Sequence, residues 1–288
     1  MAGLVQKIRT FATHTDVRRL YILWLLHKFS RKEMSIDLPH GAKGFASGKF
    51  NDFYGIWVQH PTEAEFTTFA ELLRHGGVYL DVGANMGLTT VVASIAGNPS
   101  RIIAFEPTHR YAAVWHKNVE ANAVRNASLF QCCVGEKPGV LEFIINLQAP
   151  MHNRLNLGKA LSRYEQPEHD VTMLEKIAVT TIDAVCTGLG IDKVSLLKID
   201  VEGAEPSVLR GARHMLQAKA IDAIYMEFIP EFMREMNEDV NSFVDSIYSI
   251  GYMAFRIEGN GVIGGCLTSA ELADRKFDGL NVVLKPCS

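Results

Sequence analysis

Acidic side chains are concentrated at two places in the second half of the chain, and each place follows a short apolar run. Asp200, Glu202 and Glu205 lie within six residues, and Glu227 follows the next apolar run. Such crowding costs free energy unless the groups bind or react. Asp200 and Glu227 could act as a general base, bind substrate hydroxyls, or hold a hard divalent cation. Glu205 could instead stabilise a helix N-terminus, and Lys198 could pair with one of the acids.

A second set of residues suited to chemistry lies in a glycine-bearing segment from Asp81 to Gly87. Glycines such as Gly83 let the backbone turn tightly and approach a ligand, and the next helix offers free N–H groups. Glu106 lies 19 residues after Gly87, at the end of another apolar run. A carboxylate there can accept hydrogen bonds from both hydroxyls of a ribose. Together these residues predict a nucleotide-cofactor site.

The type of cofactor is indicated by two departures from a dinucleotide-binding motif. Asn85 stands where a G-x-G-x-x-G motif has its second glycine, and Asp81 adds a carboxylate at the turn. A carboxylate directed at a pyrophosphate would repel it, whereas it suits a positive ammonium or sulfonium group. The turn therefore favours S-adenosylmethionine over a nicotinamide dinucleotide. A tight turn with a purely structural role, beside an ordinary surface Glu106, is the alternative interpretation.

Histidines are further candidates for a base. His109 and His116 flank the end of the run that carries Glu106, and His152 and His169 lie in a segment without clear periodicity, residues 148–176. Each histidine could equally be a surface or helix-packing residue, and His109 and His152 are the two preferred as catalytic candidates. The segment itself is interpreted as a functional lid or a mobile insertion.

Alternating strands and helices must position these side chains. The predicted strands cover residues 78–82, 101–105, 128–134, 140–146, 194–199, 223–226, 253–257 and 280–284, and the last two could form a hairpin. The predicted helices cover residues 62–74, 88–96, 111–123, 206–218 and 239–250, the first of them capped by Thr62 and Glu65. This alternation indicates a parallel sheet covered on both faces, whose ligands bind beyond the carboxyl ends of the strands.

The composition is that of an ordinary globular protein. Of 288 residues 48% are apolar, and 29 Lys and Arg against 32 Asp and Glu give a formal net charge of −3. These values exclude intrinsic disorder as the main state and argue against nucleic-acid binding. No apolar stretch approaches the ~20 residues that a membrane helix needs. Five cysteines without metal-ligand spacing predict reduced thiols and a cytoplasmic location.

Residues 1–32 differ from the rest because they carry seven basic side chains and one acidic side chain. Their apolar spacing predicts one or two amphipathic helices. Such an arm could pack on the domain or on a second subunit of a homo-oligomer, contact a membrane surface or an anionic partner, or serve as a transit peptide. We therefore divide the chain into a helical arm with its connecting segment, residues 1–61, and a main domain, residues 62–288.

Three motifs resemble those of the FkbM-type S-adenosylmethionine-dependent methyltransferases. They are Asp-Val-Gly-Ala-Asn-Met-Gly at 81–87, Phe-Glu-Pro at 105–107, and Lys-Ile-Asp-Val-Glu-Gly-Ala-Glu at 198–205 followed by Leu-Arg-Gly at 209–211. The likeness covers about residues 62–257. Thr108 and His109 depart from it, because asparagine is common after the second motif, and the basic arm lies outside it.

This resemblance implies an α/β fold, the class I methyltransferase Rossmann-like doubly wound sheet of seven strands with an antiparallel last strand. It implies methyl transfer, most often to a hydroxyl oxygen of a small natural product, sugar or lipid-like acceptor. By the same likeness the cofactor contacts are Asp81, Gly83, Ala84, Asn85, Gly87, Glu106, Pro107, Gly135 near the adenine, and Asp200. Analogy to catechol-type methyltransferases adds Mg²⁺ at Asp200 and Glu227. A cofactor-binding scaffold without catalysis and a nicotinamide-dependent oxidoreductase are the alternatives.

Overall fold

The structure, a computed structural model, describes residues 34–46, 61–146, 154–155, 172–273 and 280–287. The predicted helices of residues 1–32, His152 and His169 therefore lie outside the described residues. Within the described part of the chain, no helix is both long enough and apolar enough to cross a membrane.

Fourteen strands and nine α-helices form in the described residues, with a 3-10 turn at Pro39–Gly41. The strands are β1 (Met34–Asp37), β2 (Lys43–Ala46), β3 (Val78–Val82), β4 (Arg101–Phe105), β5 (Ala127–Phe130), β6 (Cys133–Val134), β7 (Gly139–Asn146), β8 (Arg154–Leu155), β9 (Thr172–Thr180), β10 (Leu196–Ile199), β11 (Ile224–Phe228), β12 (Tyr252–Ile257), β13 (Ile263–Cys266) and β14 (Leu280–Pro286). The helices are α1 (Glu63–Leu72), α2 (Leu88–Ala96), α3 (His109–Ala121), α4 (Ile182–Leu189), α5 (Glu205–Arg210), α6 (Arg213–Gln217), α7 (Pro230–Glu235), α8 (Val240–Ser249) and α9 (Ser269–Ala273).

An eight-stranded mixed sheet forms the centre of the fold, in the order β13-β12-β14-β11-β10-β3-β4-β5. Five neighbouring strands of this sheet are parallel to one another: β11, β10, β3, β4 and β5. β14 inserts antiparallel between β11 and β12, as the resemblance implies for a last strand. β13 adds an eighth strand at the edge of β12. β12 and β14 thus pair antiparallel, but they do not form the predicted hairpin, because β13 and α9 separate them along the chain.

The two faces of the sheet bury separate cores, because successive side chains of a strand point to opposite faces. Leu80, Leu197 and Met226 pack under α4, α5, α6 and α8. Tyr79 and Tyr225 are on the other face, under α1, α2 and α3. The parallel sheet covered on both faces is therefore confirmed.

A second sheet has the order β6-β9-β7-β8 and corrects two predictions. The strand predicted over residues 128–134 is two strands, β5 and β6, which belong to different sheets. The Cys132 N–H bonds back to the Phe130 carbonyl at 3.0 Å, so the chain turns between them. Residues 148–176, which the sequence shows as a segment without clear periodicity, contain β8 and the start of β9. β9 pairs antiparallel with every residue of β7, and β8 pairs with β7 as well. Periodicity alone does not show such a break or such a pairing.

Helix ends follow the capping signals in the sequence. Thr62 and Glu65 form the predicted capping box at the start of α1. Asp239, the first residue of the helix predicted over residues 239–250, is the N-cap of α8 and accepts from the Asn241 and Ser242 N–H groups. The helix predicted over residues 206–218 is instead two short helices, α5 and α6, separated at Gly211, where a Cβ would lie 2.0 Å from the Gly135 carbonyl oxygen. α4, capped by Thr181, is an additional helix.

The connecting segment, residues 34–46, forms the antiparallel pair β1 and β2 around the 3-10 turn. Leu38 packs with Met86 and Tyr111 of the main domain. Asn122 of α3 accepts from the Lys43 N–H at 2.8 Å and donates to the Lys43 carbonyl at 2.7 Å. The described part of the connecting segment therefore packs against the main domain as a short strand pair, while the domain boundary at residue 61 stays a prediction.

Candidate active site

A cavity of about 520 Å³ opens at the carboxyl ends of β3, β10 and β11. Two groups of residues line it, with Tyr225 and several side chains of the α2 start between them. The turn group consists of Gly83, Ala84, Asn85, Lys198, Asp200 and Glu227. The helix group consists of Thr62, Ala64, Glu65 and Thr68 of α1 and its entry, together with Ile257 and Asn281.

The turn after β3 has a backbone that only glycine permits at two positions. Gly83 has a φ of 77°, and a Cβ there would lie 1.9 Å from the Asp200 carbonyl oxygen. Gly87 has a φ of 83°, and a Cβ there would lie 2.6 Å from Trp115. Asn85 has a φ of 49°, a left-handed conformation that asparagine tolerates better than most side chains. This explains how Asn85 can replace the second glycine of the motif.

Lys198 lies buried between two aspartates beneath this turn. Strand register places it beside Asp81 on one side and Tyr225 on the other. Its Nζ lies 3.3 Å from Asp200 Oδ2 and 3.6 Å from Asp81 Oδ1, and donates to the Gly83 carbonyl at 2.8 Å. Burial alone would lower the pKa of Lys198, but attraction to Asp200 and Asp81 outweighs burial and raises it. The lysine is therefore a cation, and the predicted ion pair with an acid is confirmed.

Asp81 has no exposed surface. Its carboxylate accepts hydrogen bonds from the hydroxyls of Thr89 and Thr90, at 2.9 and 2.7 Å, in the first turn of α2. In this geometry Asp81 joins β3, α2 and Lys198. Its direct contact with a cofactor stays a prediction.

Glu106 braces the glycine turn from the side of β4. Its carboxylate accepts from the Asn85 N–H at 3.0 Å, and from the Thr108 N–H and hydroxyl at 2.8 and 2.6 Å. The side chain is 5% exposed, and burial raises its pKa. A carboxylate has about four lone-pair sites, so it can accept these bonds and still meet a ribose hydroxyl.

The acids that follow β10 differ in environment. Asp200 keeps 45% of its side-chain surface exposed, and Glu202 is also on the cavity wall. Glu205 is buried and accepts from the Val201 and Gly203 N–H groups at 3.1 and 3.2 Å, so it holds the turn that presents Asp200. Burial raises the pKa of Glu205 to about 7.

Glu227 belongs to β11 itself, which continues to Phe228, so the predicted strand end at residue 226 is two residues too early. Burial, followed by repulsion from Asp200 and Glu202, raises the pKa of Glu227 to about 9. Asp200 and Glu227 thus both line the cavity, as the sequence predicts.

Other predicted site residues lie away from the cavity. His109 is an exposed first residue of α3, and Pro107 also lies outside the lining. Gly135 is buried after β6, where its N–H bonds to the Thr180 carbonyl at 2.9 Å. β5, the edge strand of the eight-stranded sheet, ends at Phe130, so the residues that directly follow it come before Gly135. The roles assigned to His109, Pro107 and Gly135 stay predictions.

The role of the helix group and of Tyr225 in the cavity lining was not predicted from the sequence. Thr62 and Glu65 were identified only as a helix cap, although both line the cavity. Tyr225 precedes Glu227 by two residues on the same face, which is the signal that could have identified it. Its pKa is raised by burial and then by the charges of Glu65 and Asp200. Asn281 pairs with Glu227 across β14 and β11, which no local pattern predicts.

Magnesium is not supported. Among the described residues, no group of three or more His, Cys, Asp or Glu side chains could hold a metal ion. The positive charge beside Asp200 is instead the Lys198 ammonium, 3.3 Å away.

Comparison with solved structures gives low similarity. A methyltransferase FkbM from Methylobacillus flagellatus KT has a TM-score of 0.46 at 16% identity, covering 73% of this chain and 43% of that one. An O-methyltransferase from Bacillus cereus, in complex with SAH, has a TM-score of 0.42 at 10% identity, covering 98% of this chain and 97% of that one.

Comparison with protein families and curated relatives is more specific. "31-O-demethyl-FK506 methyltransferase FkbM" of Streptomyces tacrolimicus is 30% identical over 161 residues, 48% of this chain and 60% of the relative. "Methyltransferase 1" of Beauveria bassiana is 28% identical over 144 residues, 46% of this chain and 57% of the relative. The match thus spans less than two thirds of either relative. The model of the Methyltransferase FkbM domain matches residues 81–252, more than half of this chain. The chain therefore belongs to the FkbM methyltransferase domain family.

Proposed function

We propose that this protein transfers a methyl group from S-adenosylmethionine to a hydroxyl oxygen of a small molecule. The family supports methyl transfer in general. The observation that carries the proposal is the contact between the Gly83 turn and Asp200 in one acidic cavity. This contact would bring a cofactor site and a candidate base within reach of one acceptor.

The charge of the cavity fits a cationic cofactor. Three carboxylates, Glu65, Asp200 and Glu202, line it against a single lysine, Lys198. Glu227 adds a fourth carboxyl group, which is uncharged when protonated. The Lys198 ammonium is already engaged by Asp81 and Asp200. Such a surface attracts a sulfonium and repels a pyrophosphate. It therefore supports S-adenosylmethionine over a nicotinamide dinucleotide.

The backbone around the turn suits the other parts of the same cofactor. The N-cap residue of α2, Gly87, makes no side-chain cap, so N–H groups at the helix start can receive a ligand carboxylate. Glu106, whose carboxylate accepts from the Asn85 N–H at 3.0 Å, would also accept hydrogen bonds from ribose hydroxyls. When bound, S-adenosylmethionine supplies a methyl group already activated by a positive sulfur.

The protein's task is then to position the acceptor and remove its proton. Fixed placement of two reactants can contribute ~7–11 kcal/mol to lowering a barrier, and general-base catalysis about 10²–10⁴-fold in rate. We assign the base to Asp200, which is partly exposed to the cavity. Glu227, whose pKa is raised to about 9, keeps its proton near neutral pH and can donate a hydrogen bond to the acceptor. A carboxyl group whose environment raises its pKa is typical of the acid in such a pair.

The side chains of the helix group indicate which class of acceptor molecule the cavity would bind. The polar members of the group offer hydroxyl, carboxyl and amide groups, and Ile257 is apolar. This lining favours an uncharged hydroxyl-bearing molecule, such as a natural product, sugar or lipid-like compound, over an anion.

A reducing, cytoplasmic location is also proposed, since all five cysteines are free. Homo-oligomer or membrane contact through residues 1–32 stays a prediction.

Calorimetric titration with S-adenosylmethionine, S-adenosylhomocysteine and NAD tests the cofactor. We expect the first two to bind and NAD not to bind, and the reverse result would favour an oxidoreductase. A screen of hydroxylated acceptors with radiolabelled methyl donor then tests transfer. Cofactor binding with no transfer to any acceptor would favour a non-catalytic scaffold.

Asp200→Asn tests the assigned base with an acceptor found in that screen. We expect turnover to fall about 10²-fold or more, in line with loss of a general base, while affinity for S-adenosylhomocysteine changes less. Unchanged turnover would remove Asp200 from this role. Exposed Asp192→Asn serves as the control.

A further inference from the structure

We infer that Lys198 is a positioning residue, whose buried ammonium holds the Gly83 turn in the conformation that binds the cofactor. The inference rests on the proposed function, because it concerns the same turn. Lys198 would then act on cofactor binding through the turn, although its own charge is paired with Asp81 and Asp200.

The geometry around the ammonium is complete. Lys198 is 3% exposed, and three oxygen atoms of the protein surround its ammonium group. These are the Gly83 carbonyl at 2.8 Å, Asp200 Oδ2 at 3.3 Å and Asp81 Oδ1 at 3.6 Å. Only the first acceptor belongs to the turn, so the other two fix the position from which Lys198 holds it.

The backbone of the turn is also packed tightly against the backbone at Asp200. A Cβ on Gly83 would lie 1.9 Å from the Asp200 carbonyl oxygen, so the two backbones are in direct contact. The Asp200 N–H also bonds to the Val82 carbonyl at 3.2 Å. The Gly83 turn is therefore connected to the end of β10 in two ways, by these backbone contacts with Asp200 and by the Lys198 ammonium. Removing the ammonium leaves the Gly83 carbonyl without its hydrogen bond from Lys198.

Asp81 extends the same network to α2. It accepts from Thr89 and Thr90 in the first turn of the helix and pairs with Lys198. Position of the helix start and position of the turn are thus set by one buried pair of opposite charges.

Replacing Lys198 alone would not separate positioning from stability. Lys198→Met leaves Asp81 as an unpaired carboxylate without exposed surface, which destabilises a fold whatever the lysine does for the site. Asp81→Asn removes that charge and keeps an amide oxygen for Thr89 and Thr90. The informative comparison is therefore Asp81→Asn against the double variant Asp81→Asn/Lys198→Met.

The experiment measures the melting temperature and the affinity for S-adenosylhomocysteine of the full chain in both variants. We expect melting temperatures within about 2 °C of each other and an affinity at least tenfold weaker in the double variant. Lys193→Met is the control, because Lys193 forms an exposed ion pair with Asp222 at 3.1 Å near the start of β10. It should bind like wild type.

Each other outcome has a distinct meaning. Equal affinity in the two variants would overturn the role of Lys198 and leave the proposed function intact. A double variant that melts well below Asp81→Asn would assign the lysine to fold stability and also overturn the inference. Wild-type protein that does not bind S-adenosylhomocysteine would contradict the proposed function itself.

Discussion

The turn group and the helix group line the same cavity but lie in different parts of the chain. Every member of the turn group falls within residues 81–252, the range that matches the family. Every member of the helix group falls outside that range. The range matched by the family model therefore contains the side of the cavity suited to the cofactor, and the helix group lies outside that range.

The two groups also differ in physical constraint. The turn group depends on backbone contacts that exclude a Cβ at Gly83 and on a lysine without freedom to move. The helix group consists of side chains on α1 and on strand ends, and Asn281 is exposed. Apart from Thr68, which is buried and donates to the Gly261 carbonyl at 2.7 Å, side chains of that kind can change without moving the backbone. We therefore expect substitutions to be severe in the turn group and mild in the helix group.

Gly83→Ala should have the largest effect. The added Cβ meets the Asp200 carbonyl oxygen at 1.9 Å in a left-handed conformation. Strain and overpacking together predict a loss of about 2–4 kcal/mol in unfolding free energy and no measurable binding of S-adenosylhomocysteine. Chemical denaturation and calorimetry measure the two effects. Gly139→Ala, where nothing lies within 4 Å of the new Cβ, is the control and should match wild type.

Glu106→Gln should have the next largest effect. Its amide group must place an N–H donor against the Asn85 N–H or the Thr108 N–H, both of which bond to the carboxylate. An unsatisfied buried group of this kind costs about 1–3 kcal/mol, and we expect affinity for S-adenosylhomocysteine to fall tenfold or more. Calorimetry and urea unfolding measure both. Exposed Glu120→Gln on α3 is the control, and wild-type affinity in Glu106→Gln would rule out the ribose assignment.

Glu227→Gln tests the acid pair through pH. The unfolded carboxyl ionises near its ordinary value of 4.5, whereas the folded group holds its proton to about pH 9. Between these values the folded state binds more protons, so Glu227 lowers stability as pH rises. Glutamine removes this dependence. We expect the melting temperature of the variant to gain at least about 2–4 °C on wild type between pH 5 and pH 9, the shift that 1 kcal/mol causes in a chain of this size.

The same pH series in Glu120→Gln provides the control, and it should parallel wild type. Glu205, whose pKa is raised to about 7, lowers stability in the same direction in every variant and so does not affect the difference. A constant offset between Glu227→Gln and wild type at all pH values would show that Glu227 is not protonated in the fold.

Glu65→Gln should have the smallest effect. Glutamine can still accept from the Thr62 N–H, a bond of 2.8 Å, because a capping box tolerates either residue. We expect the melting temperature to be unchanged and affinity for S-adenosylhomocysteine to stay within about twofold of wild type. A tenfold loss of affinity would show that the two groups do not have separate functions.

Much of the fold and part of the site were accessible from sequence. The capping box of Thr62 and Glu65, the glycine turn and the apolar strands are local patterns, and each formed close to its predicted place. The acids after β10 and on β11 were also identified, because the carboxyl ends of parallel strands meet at one edge. Local propensity and periodicity determine such features, since the residues involved are neighbours in the chain.

The rest depended on contacts between distant residues. Only the tertiary structure placed Asn281 against Glu227, split residues 128–134 between two sheets, and paired β9 with β7. It also decided that Asp81 is buried and neutralised by Lys198. By itself, the sequence determined which side chains stand at the strand ends. Strand register and burial then decided which of them face the cavity and which hold one another, because both are set by long-range packing.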